Sequence, residues 1–171
     1  MSYSYDTKKS NILKTNLFQI TLLSLFAFLV PILFSQITLF PNQLLIGTIV
    51  NALIAYSALR FNLIKSLPII LLPSIGTFVS GIVFGQSSIY LLYLIPIIWL
   101  GNLIVFLFVK KYVNKKNFAI IIASITKTTI IFAFTFILYL FNIIPQALLI
   151  PMSIIQLVTA ICGLSIVLFF L

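Results

Sequence analysis

One lysine in this chain stands where a lysine is costly. Lys127 lies nine residues after Phe118 in the apolar run FAIIIASITKTTIIFAFTFILYL, which covers 118–140. If that run is a helix crossing a bilayer, the ammonium sits roughly 15 Å from either interface at 1.5 Å per residue. Its stem reaches only about 6 Å, so it cannot snorkel fully to water. A charge at that depth costs from about 3 kcal/mol upward. The group must be neutral, hydrated in a cavity, bonded to carbonyls, or paired with something outside the chain. Its chemistry is that of a donor or a positive charge offered to an anionic or strongly polar group. Ser124 three residues before it, Thr128 next to it and Thr135 eight residues after it share or flank its helix face, which makes an inward polar stripe.

Three amides and one indole are the other candidates. Asn51, Asn102 and Gln156 each lie within an apolar run. A buried amide without partners costs several kcal/mol, so each either bonds across helices or faces a ligand. In a bundle, Asn51, Lys127 and Gln156 are expected at one depth, with Asn102 deeper. Thr159, Ala160 and Gly163 share the face of Gln156, and Thr48, Asn51, Ala52, Ala55 and Ala58 make a small-residue packing face. Trp99, the single tryptophan, could stack on a flat ligand or simply pack. Tyr90 and Tyr93 read as interface anchors.

Much chemistry is excluded. Asp6 is the only acid and there is no histidine, so paired-carboxylate catalysis is absent and so is a His/Asp/Glu metal site. Buried acids for proton coupling are missing too. No Gly-rich GxxxxGK phosphate loop is present. The chain is therefore expected to be no enzyme and to use no cofactor or metal. Cys162 cannot form an intrachain disulfide and reads as a small packing residue.

These side chains must be positioned by membrane helices. Of 171 residues, 63% are hydrophobic and 6% charged, too apolar for a soluble domain of this size. A span takes roughly 20 apolar residues, and such runs fill the chain as one membrane domain, 1–171. The expected spans are 15–36, 43–60, 66–84, 88–109, 118–140 and 147–170. The fold class is all-α, six transmembrane helices in one bundle. The first run is too long for a signal-peptide core and lacks a small-x-small cleavage site, so it reads as a retained span.

Nine of the ten basic residues cluster between spans: Lys8, Lys9 and Lys14, then Arg60 and Lys65, then Lys110, Lys111, Lys115 and Lys116. The 37–42, 84–88 and 141–146 gaps hold none. That alternation is unbroken, and the positive-inside rule places both termini in the cytoplasm of a plasma-membrane protein. The net charge of +9 thus belongs to juxtamembrane cations facing anionic lipid, with no nucleic-acid partner. In the third span, Pro68, Pro73, Gly76, Gly81 and Gly85 predict a kinked or broken helix, and Thr77, Gly81 and Gly85 a close-packing face. Pro145 and Pro151 flank the start of the sixth span, where proline is harmless.

The segments LLIGTIVNALIAYSALRF, LPIILLPSIGTFVSG, YLIPIIWLGNLIVFLF, IASITKTTIIF and IIQLVTAICG, in that order across roughly 43–165, resemble the substrate-binding membrane subunits of energy-coupling-factor (ECF) vitamin transporters. The positions that carry over are Asn51, Pro73, Gly81, Pro96, Gly101, Asn102, Lys127, Gln156 and Gly163. The resemblance implies six helices with both termini cytoplasmic, and an outward cavity for a vitamin-like, anionic or neutral small molecule. It also implies docking on a transmembrane coupling protein that carries two cytoplasmic ATPases. Lys127, Asn102, Asn51, Gln156 and Trp99 would bind the substrate. The family often docks through alanines at four-residue spacing on the first helix. Here that helix offers only Thr21, Ser24 and Ala27 at three-residue spacing, which turns attention to the alanine face of the second span. The alternative is a six-span structural scaffold recruiting a cell-envelope complex, its polar residues serving as helix glue.

Overall fold

In a computed structural model the chain folds into six long helices: α1 (Ser2–Phe34), α2 (Asn42–Arg60), α3 (Leu63–Ser80), α4 (Leu91–Tyr112), α5 (Lys116–Leu140) and α6 (Gln156–Phe170). The structure describes residues 2–36 and 42–170, with side chains from 17 onward. The 37–42 gap thus lies, Asn42 apart, outside the described residues. Six segments are long and apolar enough to cross a bilayer, the first being Leu17–Phe34.

Burial is inverted relative to a soluble protein. Asn51, Asn102, Lys127, Ser57, Ser66, Thr135 and Thr159 are buried, while Phe170, Ile64 and Phe141 stand more than 70% exposed. Water would penalise both halves of that pattern. A hydrocarbon solvent accepts the apolar exterior and leaves polar groups to find partners inside.

Helix ends follow local chemistry. Asn62 caps α3, its Oδ1 accepting the Lys65 backbone N–H at 3.0 Å. Gly81, at φ +64°, ends the same helix in the left-handed conformation. The helix therefore stops earlier than expected, yet it runs unbroken through Pro68 and Pro73. Gly81 and Gly85 were expected on a packing face. Instead both have positive φ and a Cβ at either would touch nothing within 4 Å. They turn the chain into the 3-10 segment Gly85–Tyr90 that precedes α4.

The close-packing glycine of α3 is Gly76, where a Cβ would collide with the backbone carbonyl of Phe28. Helix α1 packs chiefly on α3, with Ser24 and Ala27 turned inward and buried. Ala55 and Ala58 of α2 are buried as well. Each small-residue face considered for docking is divided: Thr21 stays exposed on α1, and Thr48 and Ala52 of α2 are half-buried beside an outer apolar groove. Cys162, expected inside, lies on the outer surface. We predict that Gly76→Ala lowers stability by about 1–3 kcal/mol, because backbone cannot yield as a side chain would. Unfolding in detergent micelles checks this.

The two cationic connections share one end of the bundle. Lys110 Nζ donates to the Phe61 carbonyl at 2.7 Å, tying the end of α4 to the α2–α3 link. Lys116 lies 5.9 Å from the ring centre of Phe169, bringing the start of α5 to the end of α6. At the opposite end Asn42 Nδ2 donates to the Ser35 carbonyl at 2.9 Å, joining the end of α1 to the start of α2.

Candidate functional site

Lys127 is 2% exposed, and its Nζ donates to Asn51 Oδ1 at 2.7 Å and Asn102 Oδ1 at 2.9 Å. Both amides are oriented by their other ends. Asn51 Nδ2 donates to the Gly47 carbonyl at 2.8 Å and to Thr159 Oγ1 at 3.4 Å. Asn102 Nδ2 donates to the Ile70 carbonyl at 3.0 Å. Each nitrogen faces a carbonyl, so each oxygen is left for the lysine. Helices α2, α4 and α5 meet at one ammonium, and α3 and α6 hold the amides that hold it.

This convergence requires close helices. A Cβ on Gly163 would lie 2.5 Å from the Thr48 carbonyl and 2.8 Å from Asn51 Cβ, so α6 touches α2 where Asn51 sits. A Cβ on Gly101 would lie 3.1 Å from Lys127 Cγ, so the lysine stem crosses α4 over a glycine. Asn102, expected deeper than Lys127, is instead level with its ammonium. The lysine is four carbons long and extends toward the asparagine, an effect that counting Cα positions along a helix does not capture.

Two side chains of α4 also donate to carbonyls of α3 just before Pro73. Asn102 reaches the Ile70 carbonyl. Trp99 Nε1 donates to the Leu71 carbonyl at 3.1 Å and to Ser74 Oγ at 2.7 Å. Trp99 is therefore a clamp between α3 and α4 and is not among the residues lining the cavity. Trp99→Phe should cost about 1 kcal/mol of stability through the lost donor while leaving ligand affinity unchanged; calorimetric binding and unfolding measurements on the same variant separate the two.

Above the Lys127 cluster lies a small cavity of about 80 Å³. Its polar lining includes Lys127, Asn51, Asn102, Gln156, Gln43 and Thr77; its apolar walls include Phe84, Ile98 and Met152. The contributions come from the first half of α2, the last turns of α3, the first half of α4 and the start of α6. All of these lie toward the end of the bundle away from the clustered cations. Beyond Lys127 in the other direction the bundle is filled by apolar side chains, among them Ile54, Val105, Phe106, Ala123 and Leu164. The cavity is a one-ended pocket with a polar floor.

The start of α6 is built for this pocket. Pro151 has no N–H, and the next residues form a π-helical turn, Pro151–Ile155, in which the Ile155 N–H reaches the Ile150 carbonyl at 3.4 Å. Proline there does more than sit harmlessly, since the wide turn sets the register that puts Met152, Gln156 and Thr159 on the pocket wall. The Gln156 side chain has no hydrogen-bond partner among the described residues. Across the mouth, Gln43 Nε2 donates to the Val83 carbonyl at 3.0 Å and Ser88 Oγ to the Gly81 carbonyl at 3.0 Å, pinning the 81–88 segment over the opening.

Of the expected site residues, the structure thus gathers Lys127, Asn51, Asn102 and Gln156 at one pocket and leaves Trp99 outside it. The inward stripe on α5 divides: Thr135 bonds its own helix at the Ile131 carbonyl, 2.7 Å away, while the Ser124 and Thr128 hydroxyl oxygens are buried without partners and do not line the pocket. Sequence reasoning missed Gln43, Thr77, Val83 and Phe84 as pocket parts. The paired left-handed glycines were the available signal for the last two of these. Among the described residues no group of three or more His, Cys, Asp or Glu gathers.

Comparison with protein-family models, with curated proteins and with solved structures gives no match. The geometry of the pocket therefore carries the functional reading.

Proposed function

We propose that the chain is the membrane-embedded substrate-binding subunit of an ECF-type, ATP-driven importer for a vitamin-like small molecule, anionic or neutral. The observation that carries this reading is the one-ended pocket with Lys127, Asn51 and Asn102 at its floor. Clustered cations stay on the cytoplasmic side of a bilayer. With them inside, the termini are cytoplasmic and the mouth opens to the exterior of the cell. The packed apolar half below Lys127 offers no path for a polar solute. A subunit of this form captures its substrate and needs a partner to release it inward. A transmembrane coupling protein with two cytoplasmic ATPases supplies that step, since this chain carries no phosphate loop and no catalytic acid.

Affinity purification of the tagged chain from its own membranes tests the proposal. The expected companions are one polytopic coupling protein and two ATPases. Recovery of cell-wall synthesis or cytoskeletal proteins in their place would instead establish a scaffold.

A further inference from the structure

The pocket floor holds a basic side chain for which the protein supplies no counterion. An ammonium has three donor hydrogens. Two go to the oxygens of Asn51 and Asn102, and Lys127 also lines the cavity. Two amide oxygens solvate the charge and orient it, but they carry no negative charge of their own. The only acid in the sequence is Asp6, eleven residues before the first membrane-capable segment at Leu17. No membrane-spanning segment contributes a carboxylate. A charge left unpaired in a low-dielectric interior is costly, and a hydrogen-bonded partner of opposite sign relieves that cost.

The rest of the lining narrows the partner. Lys127 is the single charged residue on the pocket wall, so a second negative charge would go unpaired. The walls around the floor are apolar, with Phe84, Ile98 and Met152 among them, and an inorganic ion would leave those surfaces without contacts. Gln156 presents an amide with no protein partner, able to donate to and accept from one neutral polar group.

We infer that the pocket takes a small organic monoanion. Its carboxylate meets Lys127 at the floor, its apolar body lies between Phe84, Ile98 and Met152, and a neutral polar group faces Gln156. This rests on the reading of the pocket as a ligand site. It adds the charge, the polarity and the direction in which the molecule enters: acid end first, from the side without clustered cations.

The test uses the full chain in lipid nanodiscs and its thermal unfolding midpoint, which rises with any ligand that binds only the folded state. The probes are benzoate and hexanoate, their isosteres benzamide and hexanamide, the dianion terephthalate, and chloride. Benzoate and hexanoate are expected to raise the midpoint, with the amides at least roughly tenfold weaker, since charge-assisted hydrogen bonds are about twice as strong as neutral ones. Terephthalate and chloride should have little effect. Lys127→Met should lose the carboxylate response and Lys116→Met, at the far end of the bundle, should keep it. The contrast among probes on the parent protein stands even if Lys127→Met does not fold. Amides as effective as carboxylates, a stronger response to terephthalate or chloride, or no response to either carboxylate would overturn the monoanion. Amides that bind in a Lys127-dependent way would do so while leaving the ligand site intact. A protein that responds to no probe and carries no small molecule after gentle purification would overturn both.

Discussion

Lys127→Met will bind the pocket's ligand roughly 10- to 100-fold more weakly than the parent. Hydrogen bonds to a charged group contribute about 1.5–3 kcal/mol, and each 1.4 kcal/mol is about tenfold in affinity. Methionine keeps most of the stem's volume, so the glycine-lined crossing over Gly101 still accommodates it. What disappears is the donor at the pocket floor. Isothermal titration with the small molecule extracted from the parent protein measures the change. An affinity equal to that of the parent, in a variant that unfolds cooperatively, would remove Lys127 from the binding site and reduce it to helix glue.

Asn51→Leu carries the larger effect on the fold. It removes one of the two oxygens that hold the ammonium and the side-chain N–H that the Gly47 carbonyl and Thr159 Oγ1 accept. Breaking the partner of a buried charge costs about 3–5 kcal/mol. The diagnostic is the double variant. If the amide matters because it solvates Lys127, then Asn51→Leu with Lys127→Met destabilises less than the sum of the two single changes, by about 0.5–3 kcal/mol. Equilibrium unfolding of all four proteins in mixed micelles gives that coupling energy. Strict additivity would mean that the two residues stabilise the bundle independently.

The bundle was legible in the sequence because two strong constraints act on it. Hydrocarbon demands long apolar runs, and cations are expensive to translocate; together these marked six segments and their connections. The candidate amides and the lysine stood out for the same reason, since polar groups are rare in such runs and cannot be left unpaired. Details governed by side-chain reach and by backbone exceptions were less accessible. Asn102, a site candidate alongside Lys127, was expected deeper because helix positions count Cα atoms, whereas the contact is made at the end of a long stem. For Trp99 the sequence left stacking on a ligand and packing both open; its N–H donates to the Leu71 carbonyl and Ser74 Oγ of a proline-containing helix. Gly81 and Gly85 fell at four-residue spacing with Thr77, which imitates a packing face. Their role is positive φ in a turn, and that turn closes over the pocket. The π-turn after Pro151 left no periodic trace, so the orientation of Gln156 could not be fixed in advance.

The central claim is that the pocket over Lys127 holds a small molecule taken from outside the cell. Native mass spectrometry of the gently purified protein measures this most directly. The parent should fly with one small molecule bound, and the Lys127→Met protein should fly without it. A parent that is bare under conditions preserving bound lipid, or a variant that retains the same mass to the same extent, would contradict the account.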